Sequence, residues 1–222
     1  MGDRTLASAN HLIVFTRYPQ PGTAKTRLIP ELGAAGAAQV SRQLTEHTLT
    51  QVSRLCEQAA IAVTIAFAGG DVFQMQQWLG AHWQYVPQTG ADLGDRMATA
   101  MRVAFAEESQ RVVIIGTDCP ALTPALLSQA FQTLKQTDLV LGPAVDGGYY
   151  LIGIRQFDPA IVAGIAWSTD LVLSQTLAIA ASLGWTTHLL PTLQDVDHPA
   201  DLAVWHAIAS PINRAMSGCN DL

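Results

Sequence analysis

Arg17, Lys25 and Arg27 fall in a single Pro/Gly loop of a chain that has 12 Lys and Arg against 18 Asp and Glu and a formal net charge of -6. The loop follows the apolar run Leu12-Ile-Val-Phe15, so scarce positive charge is gathered just past a buried strand. Arg grips phosphate oxygens bidentately, Lys supplies a compact point charge, and Gly22 lets backbone N–H groups approach an anion closely. This layout suits the phosphates of a nucleotide or nucleotide sugar. Neither G-x-x-x-x-G-K-[ST] nor G-x-G-x-x-G is present, so the cradle is of another kind. The competing reading is a solvated loop whose bases pair with nearby acids.

Several carboxylates are spaced to work with such a loop. Asp118, in Gly116-Thr-Asp-Cys-Pro120, stands beyond the apolar Val112-Val-Ile-Ile115. It reads either as a ligand for Mg²⁺ or Mn²⁺, which prefer oxygen donors shared with phosphates, or as a cap or turn residue. Asp195 and Asp197 flank Val196, and extended backbone points both to the same side, so either could complete a metal site with Asp118. Alternatively, Asp197 or His198 caps the helix that begins near Pro199. Asp146-Gly147-Gly148-Tyr149 suits a tight turn whose carboxylate binds sugar hydroxyls or acts as a general base, although a plain strand-to-strand turn explains the glycines too. Arg96 falls at a helix start whose positive end and backbone donors could meet a base or phosphate, with structural capping by Asp92 as the competing reading. Trp167, in Ala166-Trp-Ser-Thr169, is placed to stack on a substrate ring.

These residues need strands to present them. Apolar runs at His11–Thr16, Ile61–Phe67, Trp83–Val86, Arg111–Gly116, Asp138–Leu141, Tyr149–Ile154 and Trp185–Leu190 read as strands. Helical periodicity covers Ala35–Gln58, Asp92–Glu108, Pro124–Gln136, Asp170–Leu183 and Pro199–Ala209. The alternation implies a mostly parallel sheet covered on both faces, with ligands outside the carboxyl ends of the strands. The polar motifs follow strand ends, so one rim of the sheet collects the chemistry. Ser210–Leu222 is expected to be a loosely ordered tail.

Bulk composition narrows the function. The 222 residues are expected to form one domain, with its core at about 11–209. A hydrophobic content of 49% excludes disorder, and no apolar run is long enough to span a bilayer. The acidic balance disfavours nucleic acid as a partner, which leaves small molecules. Cys56, Cys119 and Cys219 form no C-x-x-C pair, and the first ten residues lack the pattern of a secretory leader, so a reduced, cytoplasmic protein is expected. Zinc-hydrolase and serine-esterase signatures are absent.

Taken in order, Phe15-Thr-Arg-Tyr-Pro-Gln-Pro-Gly-Thr-Ala-Lys-Thr-Arg-Leu28, Asp92-Leu-Gly-Asp-Arg-Met97, Gly116-Thr-Asp-Cys-Pro120, Gly142-Pro-Ala-Val-Asp-Gly-Gly-Tyr-Tyr150 and Asp195-Val-Asp-His-Pro-Ala-Asp-Leu202 resemble the bacterial radical-SAM/selenodomain-associated transferase family. That family is a GT-A-like group of nucleotide-diphospho-sugar transferases, and phospholactate guanylyltransferase is a more distant likeness. The resemblance implies a three-layer α/β/α Rossmann-like GT-A fold with a mostly parallel mixed sheet. It also implies Arg17, Gly22, Lys25 and Arg27 on phosphates, Asp92 and Arg96 near the nucleoside, and Asp118 and Asp197 as ligands of Mg²⁺ or Mn²⁺. The acceptor and sugar would meet Asp146, Gly147, Gly148, Tyr149 and Trp167, with Asp146 and Asp118 as the catalytic pair. The chain departs from the family pattern in carrying Thr-Asp-Cys where D-x-D is usual and His198 where Thr is usual. The reaction implied is sugar transfer to a small acceptor; nucleotidyl transfer with pyrophosphate release and non-catalytic nucleotide binding are the alternatives.

Overall fold

The computed structural model describes residues 8–217. Seven strands form one sheet: β1 (Asn10–Arg17), β2 (Ala62–Ala68), β3 (Gln84–Pro87), β4 (Arg111–Ile115), β5 (Leu139–Pro143), β6 (Tyr149–Ile154) and β7 (Thr187–Leu189). Their order is β3-β2-β1-β4-β6-β5-β7. Every neighbouring pair is parallel except those of β6, which runs antiparallel to both β4 and β5. The tight 144–148 turn forces that reversal, because it joins β5 directly to β6 and leaves no room for a crossover helix.

Six helices cover the sheet: α1 (Ile29–Cys56), α2 (Val72–Leu79), α3 (Leu93–Ala106), α4 (Pro124–Thr133), α5 (Val172–Ser182) and α6 (Leu202–Ser217). Alternation along β4 sends Val113 and Ile115 to a face packed by Leu49 and Val52 of α1, Met75 of α2 and Leu127 of α4. Val112 and Ile114 go to the opposite face, against Met97 and Met101 of α3 and Ala180 of α5. Both faces are dry, so the central strands read as unbroken apolar runs and the architecture is three-layered α/β/α.

Three helical features differ from the sequence expectation. Helix α1 begins before Ala35 and contains a kink at Gly33, whose φ of 67° lies outside the helical region. Helix α2, not anticipated from periodicity, has only eight residues and a single buried side chain, Met75. A reciprocal capping box starts it: Gln74 N–H donates to the Asp71 carboxylate at 2.8 Å, and the Asp71 N–H donates to the Gln74 side chain at 3.0 Å. Helix α6 continues to Ser217, past the point where the ordered chain was expected to end, and Cys219 lies outside the described residues.

Asp138 clamps the far half of the sheet. Its carboxylate accepts from the Thr186 amide at 2.8 Å, the Thr186 hydroxyl at 2.6 Å and Arg155 Nε at 2.9 Å. These donors, the Thr186 hydroxyl foremost, hold the Asp138 carboxyl below its ordinary range in spite of the opposing effect of burial. Among the described residues, no helix is long and apolar enough to cross a membrane, and Cys56 and Cys119 are unpaired thiols.

Candidate active site

The carboxyl ends of β1, β4 and β5 open onto two cavities that share a wall. The first, of about 550 Å³, is lined by Arg17, Thr23, Lys25, Arg27, Gln88 and Arg96, together with Asp118 and Asp197. The second, of about 540 Å³, is lined by Asp118, Asp146, Asp170, Asp195 and Asp197, the aromatic rings of Tyr149 and Trp167, and Arg27. Arg27, Asp118, Asp197 and Ser168 border both. One chamber is basic and the other acidic, and they meet at a paired seam.

The seam is built from backbone upward. Thr117 and Asp118 continue directly from β4, while Leu193 continues β5's pairing through donation from its N–H to the Pro143 carbonyl at 3.0 Å. The Val196 N–H then donates to the Asp118 carbonyl at 2.9 Å, and the Val196 side chain is fully buried. With Val196 turned inward, its neighbours Asp195 and Asp197 both reach the cavities. The helix-capping alternative for Asp197 is not used: Asp201 accepts from the Asp197 and His198 N–H groups, at 3.1 and 2.7 Å, and leaves the Asp197 carboxylate free for other partners.

Those partners come from the basic loop. Lys25 adopts a left-handed backbone conformation (φ 48°, ψ 47°), which non-glycine residues seldom occupy without a compensating contact. Its side chain is only 6% exposed, and its ammonium lies 2.8 Å from Asp118 Oδ1 and 3.5 Å from Asp197 Oδ1. Burial alone would drive a proton off Lys25, but Asp118, with Asp197 and Asp195 behind it, outweighs burial and raises its pKa. Arg27 Nη1 hydrogen-bonds the second oxygen of Asp197. Against the upward push of burial, Lys25 and then Arg27 hold Asp197 below the ordinary carboxylate range.

Asp195 behaves in the opposite way. Burial raises its pKa first and the nearby Asp146 raises it further, with Lys25 too weak an influence to compensate. Burial, reinforced by Asp118, likewise keeps the neighbouring Cys119 thiol protonated.

The acidic chamber owes its shape to two close approaches. Gly94, in the first turn of α3, faces the Val162 carbonyl and the Trp167 indole so tightly that no side chain fits, which fixes Trp167 as a wall. Tyr149 meets Trp167 edge to face, with ring centroids 6.4 Å apart. Gly147, at φ 88°, lies against the backbone of Asp170, and its carbonyl accepts from the Leu173 N–H at 3.0 Å. Asp146 is oriented by the Gly148 N–H, which donates to Oδ1 at 2.8 Å.

The remaining sequence candidates occupy varied positions. Arg17 and Arg96 line the basic chamber, and Arg96 Nε also donates to the Gly90 carbonyl at 3.3 Å. The Asp92 carboxylate caps α3 by accepting from the Asp95 N–H at 2.8 Å, so Leu93 and Arg96 rather than Asp92 face the chamber. Gly22 turns the loop at φ 85° with open space beside it. Sequence reasoning missed the support beneath the cradle. Thr16, at the end of β1, hydrogen-bonds Thr45 of α1 at 3.0 Å, and Thr45 reaches Thr117 at 3.4 Å, which ties two strand ends to one helix. Gln88 also escaped notice; its side-chain amide donates to the Ala66 and Thr16 carbonyls. Ser168, left-handed at φ 64°, and Asp170 complete the chamber walls. A polar residue at each strand end was the available signal.

Asp118 and Asp197, completed by phosphate oxygens, form a donor set that suits Mg²⁺ or Mn²⁺. Among the described residues no group of three His, Cys, Asp or Glu gathers at one point, so water or phosphate oxygens would fill the other positions around an ion held by Asp118 and Asp197.

The sheet order, the single antiparallel strand and the ligand rim define an α/β fold that matches nucleotide-diphospho-sugar transferase structures. A Desulfovibrio desulfuricans G20 protein provisionally named as such a transferase is 34% identical over 91% of this chain and 88% of its own, with a TM-score of 0.84. Residues 48–169 match DUF2064, a family described as uncharacterized and conserved in bacteria, and the chain belongs to that family. The inositol-1-phosphate CTP transferase from T. maritima (15% identity, 91% and 96% covered, TM-score 0.59) shares the fold. So does Rv0371C of Mycobacterium tuberculosis H37Rv, solved in complex with manganese (15%, 88% and 97%, TM-score 0.52). No curated protein matches the sequence. The structural neighbours are thus transferases of the nucleotidyl and nucleotide-sugar kind.

Proposed function

We propose that the protein transfers a sugar from a nucleotide-diphosphate sugar to a small acceptor bearing a hydroxyl or amine and no phosphate. The observation that carries this reading is the division of charge. The basic chamber suits a diphosphate, whereas five carboxylates and a single arginine line the neighbouring one. Asp118 and Asp197 are paired with Lys25 and Arg27, but an acceptor phosphate, which nucleotidyl transfer would require, meets repulsion from Asp146, Asp170 and Asp195 of about 3 kcal/mol for each ionised group at about 6 Å and an effective dielectric of about 20.

In this scheme Arg17, Arg27 and Arg96, with Lys25, hold the diphosphate, and the sugar reaches over the seam toward Trp167 and Tyr149. The bond from the sugar's anomeric carbon to the diphosphate oxygen breaks, and the acceptor oxygen or nitrogen forms the new one. The acceptor's proton passes to the Asp146 and Asp195 pair, in which burial and Asp146 raise the proton affinity of Asp195. The basic side chains take up the negative charge that develops on the departing nucleoside diphosphate. A Mg²⁺ or Mn²⁺ ion held by Asp118 and Asp197 would add electrostatic stabilisation of that leaving group.

The test is product analysis. A panel of nucleotide sugars, incubated with Mn²⁺ and a mixture of polyols and amino compounds, is expected to release nucleoside diphosphate. Pyrophosphate released from a nucleoside triphosphate with a phosphorylated acceptor overturns the proposal in favour of nucleotidyl transfer.

A further inference from the structure

The Lys25 ammonium stands between the two carboxylates that suit a divalent cation, 2.8 Å from one and 3.5 Å from the other, with almost no exposure to water. Together with Arg27 it already balances both acids. A cation placed among the same oxygens would lie within contact range of a second positive charge, and the two repel each other strongly at that separation in a partly buried site. The Lys25 backbone is held, its carbonyl accepting from the Leu28 N–H at 2.9 Å beside the buried Ala24, so the exchange is a rotation of the long Lys25 side chain toward the basic chamber that it also lines.

We propose that Lys25 and the divalent cation are alternative occupants of the Asp118–Asp197 position, so that the free protein excludes the metal and nucleotide phosphates admit it by drawing the Lys25 ammonium into the cradle. Phosphates that draw Lys25 away leave Asp118 without a counter-charge and Asp197 with Arg27 alone, and the pair of carboxylates then calls for a cation. Metal and nucleotide therefore promote each other's binding through one side chain, and reciprocally. The inference rests on the proposed metal use but not on which group is transferred.

Mn²⁺ titration of the nucleotide-free protein, followed by calorimetry and electron paramagnetic resonance, tests it without any turnover. Lys25→Met is expected to bind Mn²⁺ at least roughly tenfold more tightly than wild type, within the range usual for coupled sites. Adding Asp118→Asn to that variant is expected to abolish the gain. Lys25→Gln, uncharged but still polar, serves as a second variant should the methionine impair folding. If free wild type binds Mn²⁺ as tightly as the Lys25 variants and Asp118→Asn removes that binding, the exclusion is overturned while the metal site stands. If neither Lys25 variant binds Mn²⁺, the inference and the proposed metal use both fall.

Discussion

Gly147→Ala tests whether the Asp146 turn and the Asp170 segment form one rigid wall of the acidic chamber. Gly147 sits at φ 88°, where a Cβ costs roughly 1–2 kcal/mol in backbone strain. That Cβ would also lie 2.5 Å from both the Cα and the carbonyl oxygen of Asp170, main-chain atoms that cannot rotate away. Relief requires the turn to separate from the Asp170 segment, which breaks the hydrogen bond from Leu173 N–H to the Gly147 carbonyl and forfeits about 1 kcal/mol more. The sum is about 2–3 kcal/mol, a fall in Tm of roughly 4–12 °C for a chain of this size. The basic chamber meets these segments only at Ser168, so calorimetric affinity for a nucleoside diphosphate should remain within about twofold of wild type, while turnover with acceptor drops sharply. Gly148→Ala is the control. It controls for Tm alone: the nearest atoms to its Cβ belong to the Asp146 carboxylate, at 3.1 Å and beyond, and that side chain can swing aside, so Tm should hold even though turnover changes. A Gly147→Ala protein with unchanged Tm, or with nucleotide affinity falling as steeply as turnover, would refute the reasoning.

Arg27→Ala should leave Tm almost unchanged, because an ion pair with a half-exposed arginine contributes only about 0–1 kcal/mol, yet weaken nucleoside-diphosphate binding by about tenfold or more in calorimetry. An affinity equal to wild type would remove Arg27 from the cradle. Asp138→Asn should lower Tm at neutral pH without altering nucleotide affinity, since its contacts lie at the opposite end of the strands. The folded-state pKa of Asp138 is depressed, so its contribution is fully present above the ordinary value of 3.8 and fades as pH falls through the lower folded value. The Tm gap between wild type and Asp138→Asn should therefore narrow below about pH 4; a gap constant from pH 7 to pH 3 would contradict the carboxylate's role.

How much of this was legible in the sequence depended on the range of the signal. All seven strands could be read: the central ones are buried on both faces, so an apolar run such as Val112–Ile115 needs no partner to be recognised, while the largely exposed edge strands β3 and β7 lie in short aromatic-led runs closed by Pro87 and Pro191. The reversal of β6 was harder to see, since Asp146-Gly147-Gly148 signals a turn but not which strands flank it in space. Helix α2 escaped because eight residues with one buried side chain give almost no periodicity, although the Asp71 and Gln74 capping pair was there to be read. Within the site, strand-end position singled out Arg17, Asp118 and Asp146, and alternation about Val196 singled out Asp195 and Asp197. The Thr16, Thr45 and Thr117 contacts stayed hidden because three ordinary hydroxyls, widely separated in sequence, acquire meaning only when β1, α1 and β4 converge.

The same distinction between residue type and residue direction governs Lys25. Its sequence neighbourhood placed it with Arg17 and Arg27 as a phosphate ligand, and the competing reading had the loop's bases paired with nearby acids. The fold shows the acid-paired reading, and the proposed exchange would make phosphate binding the second state of the same side chain. The left-handed turn at Lys25 directs its amine inward to Asp118 and Asp197, whereas Arg17 and Arg96 stay on the rim of the basic chamber. Under the proposed function, a net acidic protein that attracts a diphosphate gains from this arrangement. Without ligand, the seam carboxylates are neutralised from within and do not repel the incoming phosphates, so the remaining arginines set the local field. Once phosphates claim Lys25 in the proposed exchange, Asp118 loses its counter-charge and Asp197 keeps only Arg27, which opens the position between them to a divalent cation.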